Sequence, residues 1–187
     1  RETMKVCEWG CGPGRIIRHL PALFPEGGIQ WFGTDYLPRT IAWCRRHIAG
    51  IAFEVNALNP PLPFEAGFLD MIYARSVFTH LAESNFHLWI RELDRVIAPG
   101  GIVLFTTHGR NYIDKLLPAE KETFLRGCMV ERREVLEGRK CFTAFHPAEY
   151  VRKNCPAGWT LLEHIETPII RLMPQDIWIM RKAGQTI

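Results

Sequence analysis

The chain has 187 residues, 47% of them hydrophobic, with a formal charge of +3. That suits one domain with a substantial core, and the lack of any run of about 18 apolar residues excludes a membrane-spanning helix. So mild a charge gives no argument for nucleic acid, and the short basic runs Arg45-Arg46-His47, Arg132-Arg133 and Arg139-Lys140 read as solvated faces.

The opening residues RETMKVCEW lack the apolar stretch of a signal peptide. The six cysteines are scattered with no CxxC pair, as reduced thiols of a cytoplasmic protein would be. Cys7 and Cys11 are not followed by a second ligand pair, so no metal is expected.

Strand and helix signals alternate along the chain. Met4 to Trp9 reads as a strand, and Pro13 to Phe24 as a helix with Ile16, Ile17, Leu20 and Leu23 at helical spacing. Ile29 to Thr34 is a second strand ending at Asp35, Pro38 to Ile48 a helix, and Ile51 to Val55 a third strand. The proline-rich loop NPPLPFEAG precedes a fourth strand, Leu69 to Ala74. Glu83 to Ile97 forms an amphipathic helix through Phe86, Trp89, Ile90, Leu93 and Val96, and Pro99-Gly100-Gly101 is expected to end it as a tight turn. Ile102 to Thr107 is apolar enough for a strand buried on both faces.

The remainder is less regular. Asn111 to Arg126 carries helical fragments, Met129 to Ala144 a short hairpin turning at Glu137-Gly138, and His146 to Lys153 a short helix. Trp159 to Thr167 and Gln175 to Arg181 read as closing strands. Alternation of this kind specifies an α/β fold of three layers, a mostly parallel twisted sheet between helices, and places ligands at the carboxyl ends of the strands. The first strand begins within a few residues of Arg1, so residues upstream are expected to be missing.

The stretch EWGCGPGR, Glu8 to Arg15, fills the turn after the first strand. Gly10, Gly12 and Gly14 allow positive φ and let a ligand approach where a Cβ would block it. A dinucleotide loop of the G-x-G-x-x-G type needs its third glycine where Arg15 stands. A carboxylate at the mouth of the loop, Glu8, disfavours a pyrophosphate and favours a ligand with cationic groups, such as S-adenosyl-L-methionine.

The pattern Glu8-x-Gly10-x-Gly12-x-Gly14 resembles the first motif of the class I S-adenosylmethionine-dependent methyltransferases. The resemblance runs from the first strand to about His108, through Asp35, Asn56-Ala57, Leu62 to Phe64, Phe68 to Asp70, ARSVFTHL (Ala74 to Leu81) and RVIAPGG (Arg95 to Gly101). It implies a Rossmann-like fold of one domain over residues 1–187, with a closing antiparallel strand and with N-terminal helices missing. It also implies a cofactor, S-adenosyl-L-methionine, that leaves as S-adenosyl-L-homocysteine. The cofactor-binding set would be Glu8, Gly10, Cys11, Gly12, Gly14, Asp35, Tyr36, Asn56, Ala57 and Ser76. Asp35 would accept both ribose hydroxyls, Tyr36 would pack on adenine, and Asn56 with the Ala57 amide would read its edge.

NPPL, Asn59 to Leu62, looks like the N-P-P-aromatic motif of amino-methyltransferases, but it follows the third strand rather than the fourth and lacks the aromatic residue. Its prolines stiffen a loop. Asp70 shapes the start of strand four, Trp9 packs beside the loop, and Arg15 is open between pairing with Glu8 and meeting a carboxylate. The candidate bases are His80 and His108, with His146 and Tyr150 further along.

The expected function is methyl transfer to a small molecule or sugar-containing metabolite, with residues 109–144 as a substrate-side insertion, no membrane, and nucleic acid disfavoured. Oligomeric state is left open. The alternatives are a nucleotide-dependent oxidoreductase, a methyltransferase-like domain that binds or scaffolds without catalysis, and methylation of protein or RNA.

Overall fold

β-Branched and aromatic runs build a seven-stranded sheet in the computed structural model, which describes residues 3–132, 136–138, 141–166 and 174–184. Its strands are β1 (Met4–Trp9), β2 (Ile29–Asp35), β3 (Ile51–Val55), β4 (Leu69–Ala74), β5 (Ile97–Thr107), β8 (Trp159–Ile165) and β9 (Asp176–Lys182), with β6 (Val130–Arg132) and β7 (Thr143–Phe145) forming a separate pair. The order across the sheet is β3-β2-β1-β4-β5-β9-β8. β1 to β5 run parallel, and β9 alone is reversed, antiparallel to both β5 and β8. The helices are α1 (Leu20–Leu23), α2 (Pro38–His47), α3 (Glu83–Val96), α4 (Pro118–Leu125) and α5 (Ala148–Asn154). The three-layer α/β architecture expected from the alternation is therefore the one observed.

Pleating sends alternate side chains of β1 to opposite layers. Cys7 and Trp9 join the core under α3, with Phe78, Phe86, Trp89 and Leu93. Val6 joins the core under α2, with Ile17, Ile41, Cys44 and Phe53. Glu8 lies on that second face by the same alternation and is 3% exposed. Both faces of the central strand are thus covered, which is why it reads as an unbroken apolar run.

Two expected elements differ. The helix over Pro13 to Phe24 is reduced to a 3-10 turn at Ile17–His19 and the single turn of α1. Gly14 sits at φ +66°, and Pro21 has no N–H to donate to Ile17, so the helical ladder cannot run through. Pro99-Gly100-Gly101 does not separate α3 from β5: α3 stops at Val96, the chain is extended from Ile97, and the three residues lie inside β5. They make a bulge, because Ile97 pairs with Leu69 while Ile102 already pairs with Met71. A Cβ at Gly101 would stand 2.9 Å from the carbonyl oxygens of Ala98 and Asp70.

Other boundaries agree within two residues, and the 110–126 segment is helical in pieces as expected. The 129–144 segment pairs as a hairpin, Val130 with Phe145 and Arg132 with Thr143. Positions 133–135 and 139–140 of it, and Thr167 at the end of the eighth strand, lie outside the described residues. Asp70 caps the edge of β1 by accepting from the Lys5 amide at 2.8 Å, a structural role. The NPPL loop is tied to α3 through the Leu62 amide, which donates to Glu92 at 2.7 Å.

Candidate active site

The strand order turns at β1, which has β2 on one side and β4 on the other, and a cleft opens at the carboxyl ends of these strands. It holds a cavity of about 400 Å³, within the range of small-molecule sites. Its walls come from the turn after β1, the ends of β2 and β3, the segment after β4, and Gly138.

The glycine turn is held by β2. Gly10 and Cys11 donate their amides to the Thr34 carbonyl at 2.8 and 2.9 Å. The Gly12 amide donates to Asp35 Oδ2 and the Leu37 amide to Asp35 Oδ1, both at 2.9 Å. The three glycines divide by role. A Cβ at Gly10 would meet Val77 Cγ2 at 2.4 Å and one at Gly14 would meet Ile48 Cδ1 at 2.7 Å, so both are packing positions. A Cβ at Gly12, at φ +51°, would meet nothing within 4 Å, because that face opens to the cavity.

Of the expected cofactor-binding residues, the structure brings Gly10, Gly12, Asp35, Tyr36, Asn56, Ala57 and Ser76 to the cavity wall. Glu8, Cys11 and Gly14 lie behind it. Glu8 is not at the mouth of the loop: the pleat turns its carboxylate beneath the loop, where Oε2 accepts from the Ile17 amide at 3.1 Å. Burial pushes its pKa up to about 7, against the partial relief of the Ile17 hydrogen bond and of Arg75. Cys11 is 5% exposed and points its thiol at the Gly12 carbonyl, as Cys44 does from α2.

Asp35 is 6% exposed and, despite its two amide bonds, keeps lone pairs for further donors. The Tyr36 hydroxyl donates to the Gly138 carbonyl at 2.9 Å. Asn56 donates through Nδ2 to the Ala57 carbonyl at 2.7 Å, leaving Oδ1 buried with no partner among the described residues. A buried acceptor without a donor is costly, and this one belongs to a cavity-lining residue.

The histidines separate. His80 lines the cavity, and its Nδ1 is 2.7 Å from the Phe142 carbonyl. A carbonyl only accepts, so Nδ1 carries the proton and the neutral ring keeps Nε2 bare. His108 does not line the cavity. It is 6% exposed behind the wall, packed at a tilt against Tyr112 with ring centroids 4.2 Å apart, and burial lowers its pKa to about 4. His146 is fully buried and packs on Phe86, while Tyr150 bonds His87 at 3.2 Å.

Arg15 and Arg75 also line the cavity, both exposed and neither ion-paired among the described residues. Arg15 does not pair with Glu8. Sequence reasoning missed Arg75, Leu58, Trp89 and Gly138 as wall residues. Trp89 reads as one more apolar position of α3, and Gly138 as a turn far along the chain. No local pattern marks either. Among the described residues no cluster of three His, Cys, Asp or Glu side chains could hold a metal.

Residues 6–101 match the family model described as a methyltransferase domain, just over half of the chain. The chain belongs to this family. It is 37% identical over 100 residues to a trans-aconitate 2-methyltransferase of Methylobacterium nodulans, covering 52% of this chain and 35% of that protein. It is 28% identical over 120 residues to a malonyl-[acyl-carrier protein] O-methyltransferase of Legionella pneumophila, covering 62% and 40%. The chain thus spans well under half the length of these curated relatives. The fold matches an S-adenosylmethionine-dependent methyltransferase from Mesorhizobium loti with TM-score 0.69 at 14% identity, over 96% of this chain and 91% of that one. S-adenosylmethionine is the cofactor that the family implies. The open face at Gly12 and the unpartnered Asn56 Oδ1 fit a ligand that passes close to the turn and offers an amine donor.

Two predictions follow from this geometry. Glu8 ionises near pH 4.5 when exposed but at about 7 in the fold, so its burial costs nothing below pH 4.5 and stability is lost as pH rises through 7. Glu8→Gln, which keeps the acceptor and removes the charge, should match the wild type in urea unfolding at pH 4. At pH 8, without cofactor, it should exceed it by roughly 2–4 kcal/mol. A pH-independent difference would place the carboxylate in water. Gly12→Val should weaken S-adenosylhomocysteine binding at least roughly tenfold, while the left-handed valine costs only about 1–2 kcal/mol of stability. Unchanged affinity by calorimetry would make the loop a turn and nothing more.

Proposed function

We propose that the protein transfers a methyl group from S-adenosylmethionine to a hydroxyl of a small acidic molecule. The carrying observation is the pair of cavity-lining arginines, Arg15 and Arg75, without ion-pair partners among the described residues. The cofactor is a net cation with one carboxylate, so one arginine can serve it and the second calls for an anion on the acceptor. Relatives named for trans-aconitate and malonyl-[acyl-carrier protein] support an acidic acceptor.

In this reading Asp35 accepts from the ribose hydroxyls, Tyr36 packs on the adenine, and Asn56 Oδ1 accepts from the exocyclic amine. The bound cofactor supplies an electrophilic methyl on its sulfonium. The chain's part is alignment of the acceptor oxygen with the methyl and the sulfur. His80 Nε2 would take the proton of the acceptor hydroxyl, whose oxygen would gain the methyl that the sulfonium gives up. We read the 109–144 segment as the acceptor side, a reading supported by Gly138 at the cavity wall. The cytoplasm is the compartment assumed, and it suits six free thiols.

The test is transfer of labelled methyl to hydroxy acids, sugar phosphates, neutral sugars and tRNA offered in parallel. Label should enter the acids or the phosphates, and these two arms separate a carboxylate from a phosphate. His80→Ala should lower kcat about 10²- to 10⁴-fold with S-adenosylhomocysteine affinity nearly unchanged. Label appearing only in neutral sugars or tRNA contradicts the acidic acceptor, and an unchanged kcat removes His80 as the base.

A further inference from the structure

Ser76 is the one described residue other than glycine with positive φ, +59°. It follows β4 and lines the cavity four residues before His80. A non-glycine residue in this region is strained, and such strain persists only where neighbours enforce it.

The neighbours can be named. The Ser76 amide donates to Thr106 Oγ1 at 2.8 Å, and the Ser76 hydroxyl donates to Gln175 Oε1 at 2.9 Å. Thr106 Oγ1 donates to the same Gln175 oxygen at 2.7 Å. Gln175 stands at the foot of β9, beside the Thr107–Asp176 pairing with β5, and is 9% exposed. On its other side Gln175 Nε2 is 3.4 Å from His108 Nε2. His108 Nδ1 faces the Ala144 carbonyl at 3.2 Å and so carries the ring proton, leaving Nε2 to accept from the glutamine amide. The bond to His108 favours the orientation in which the glutamine oxygen faces Ser76.

We propose that Gln175, oriented by His108, is a positioning residue that holds Ser76 in its left-handed conformation and thereby sets the Arg75–His80 segment against the cofactor. His108 then serves the site through the glutamine rather than as a base. The residues come from β5, the foot of β9 and the segment before α5, so the second half of the chain shapes a cavity whose glycine turn lies in the first.

The test is a double-mutant cycle read by calorimetric titration of S-adenosylhomocysteine, with the wild-type chain as reference. Gln175→Leu removes the shared acceptor, and Ser76→Gly allows positive φ without strain. Gln175→Leu alone should weaken binding roughly tenfold. The same substitution made together with Ser76→Gly should cost much less, under about threefold relative to Ser76→Gly alone. A residue that merely supports the fold would cost the same in both backgrounds, and that result overturns the proposal. So does unchanged affinity in Gln175→Leu. Should Gln175→Leu fail to fold, Thr106→Val, nearly isosteric and lacking the hydroxyl, is carried through the same cycle under the same criteria.

Discussion

Everything at the site depends on one carboxylate. Asp35 ends β2 and accepts the amides of Gly12 and Leu37, one on each oxygen. The first bond sets the crest of the glycine turn against the neighbouring strand, and the second sets the entry into α2. Without it, the two amides would lose their acceptor, and the turn could leave the position in which Gly12 faces the cavity. The residue proposed to meet a ribose is thus also the residue that shapes the wall around it.

The charges are layered about this point. Glu8 lies beneath the turn, where burial lifts it to about 7, while Arg15 and Arg75 stand at the cavity wall. A cationic cofactor above a buried carboxylate would favour its ionised form, so cofactor binding and the ionisation of Glu8 are linked. On the opposite wall, His80 and Gly138 meet through the bond from the Gly138 amide to the His80 carbonyl at 2.9 Å. Tyr36 reaches the same glycine from the β2 side. Gly138 therefore joins the two walls of the cleft.

Much of this was legible in the sequence. The parallel strands show as short apolar runs because both of their faces are buried, and the glycine turn shows because positive φ is needed three times in five residues. Asp35 and Asn56 follow from their place at strand ends. Less legible was anything set by the third dimension. The spacing of Ile16, Ile17, Leu20 and Leu23 suggests a helix, yet Pro21 breaks its ladder. Glu8 reads as a residue of the mouth until the pleat assigns it to the face it shares with Val6. Trp89, Gly138 and Gln175 reach the site from 31 to 102 positions away from the residues they bond or touch there, and no local pattern carries that information.

The central claim is that this turn, with Asp35 beside it, accepts S-adenosylmethionine rather than a dinucleotide. Isothermal titration of S-adenosylhomocysteine and of NAD into the same preparation tests it most directly. The account predicts saturable one-to-one binding of S-adenosylhomocysteine and none of NAD. Binding of NAD without S-adenosylhomocysteine would contradict it.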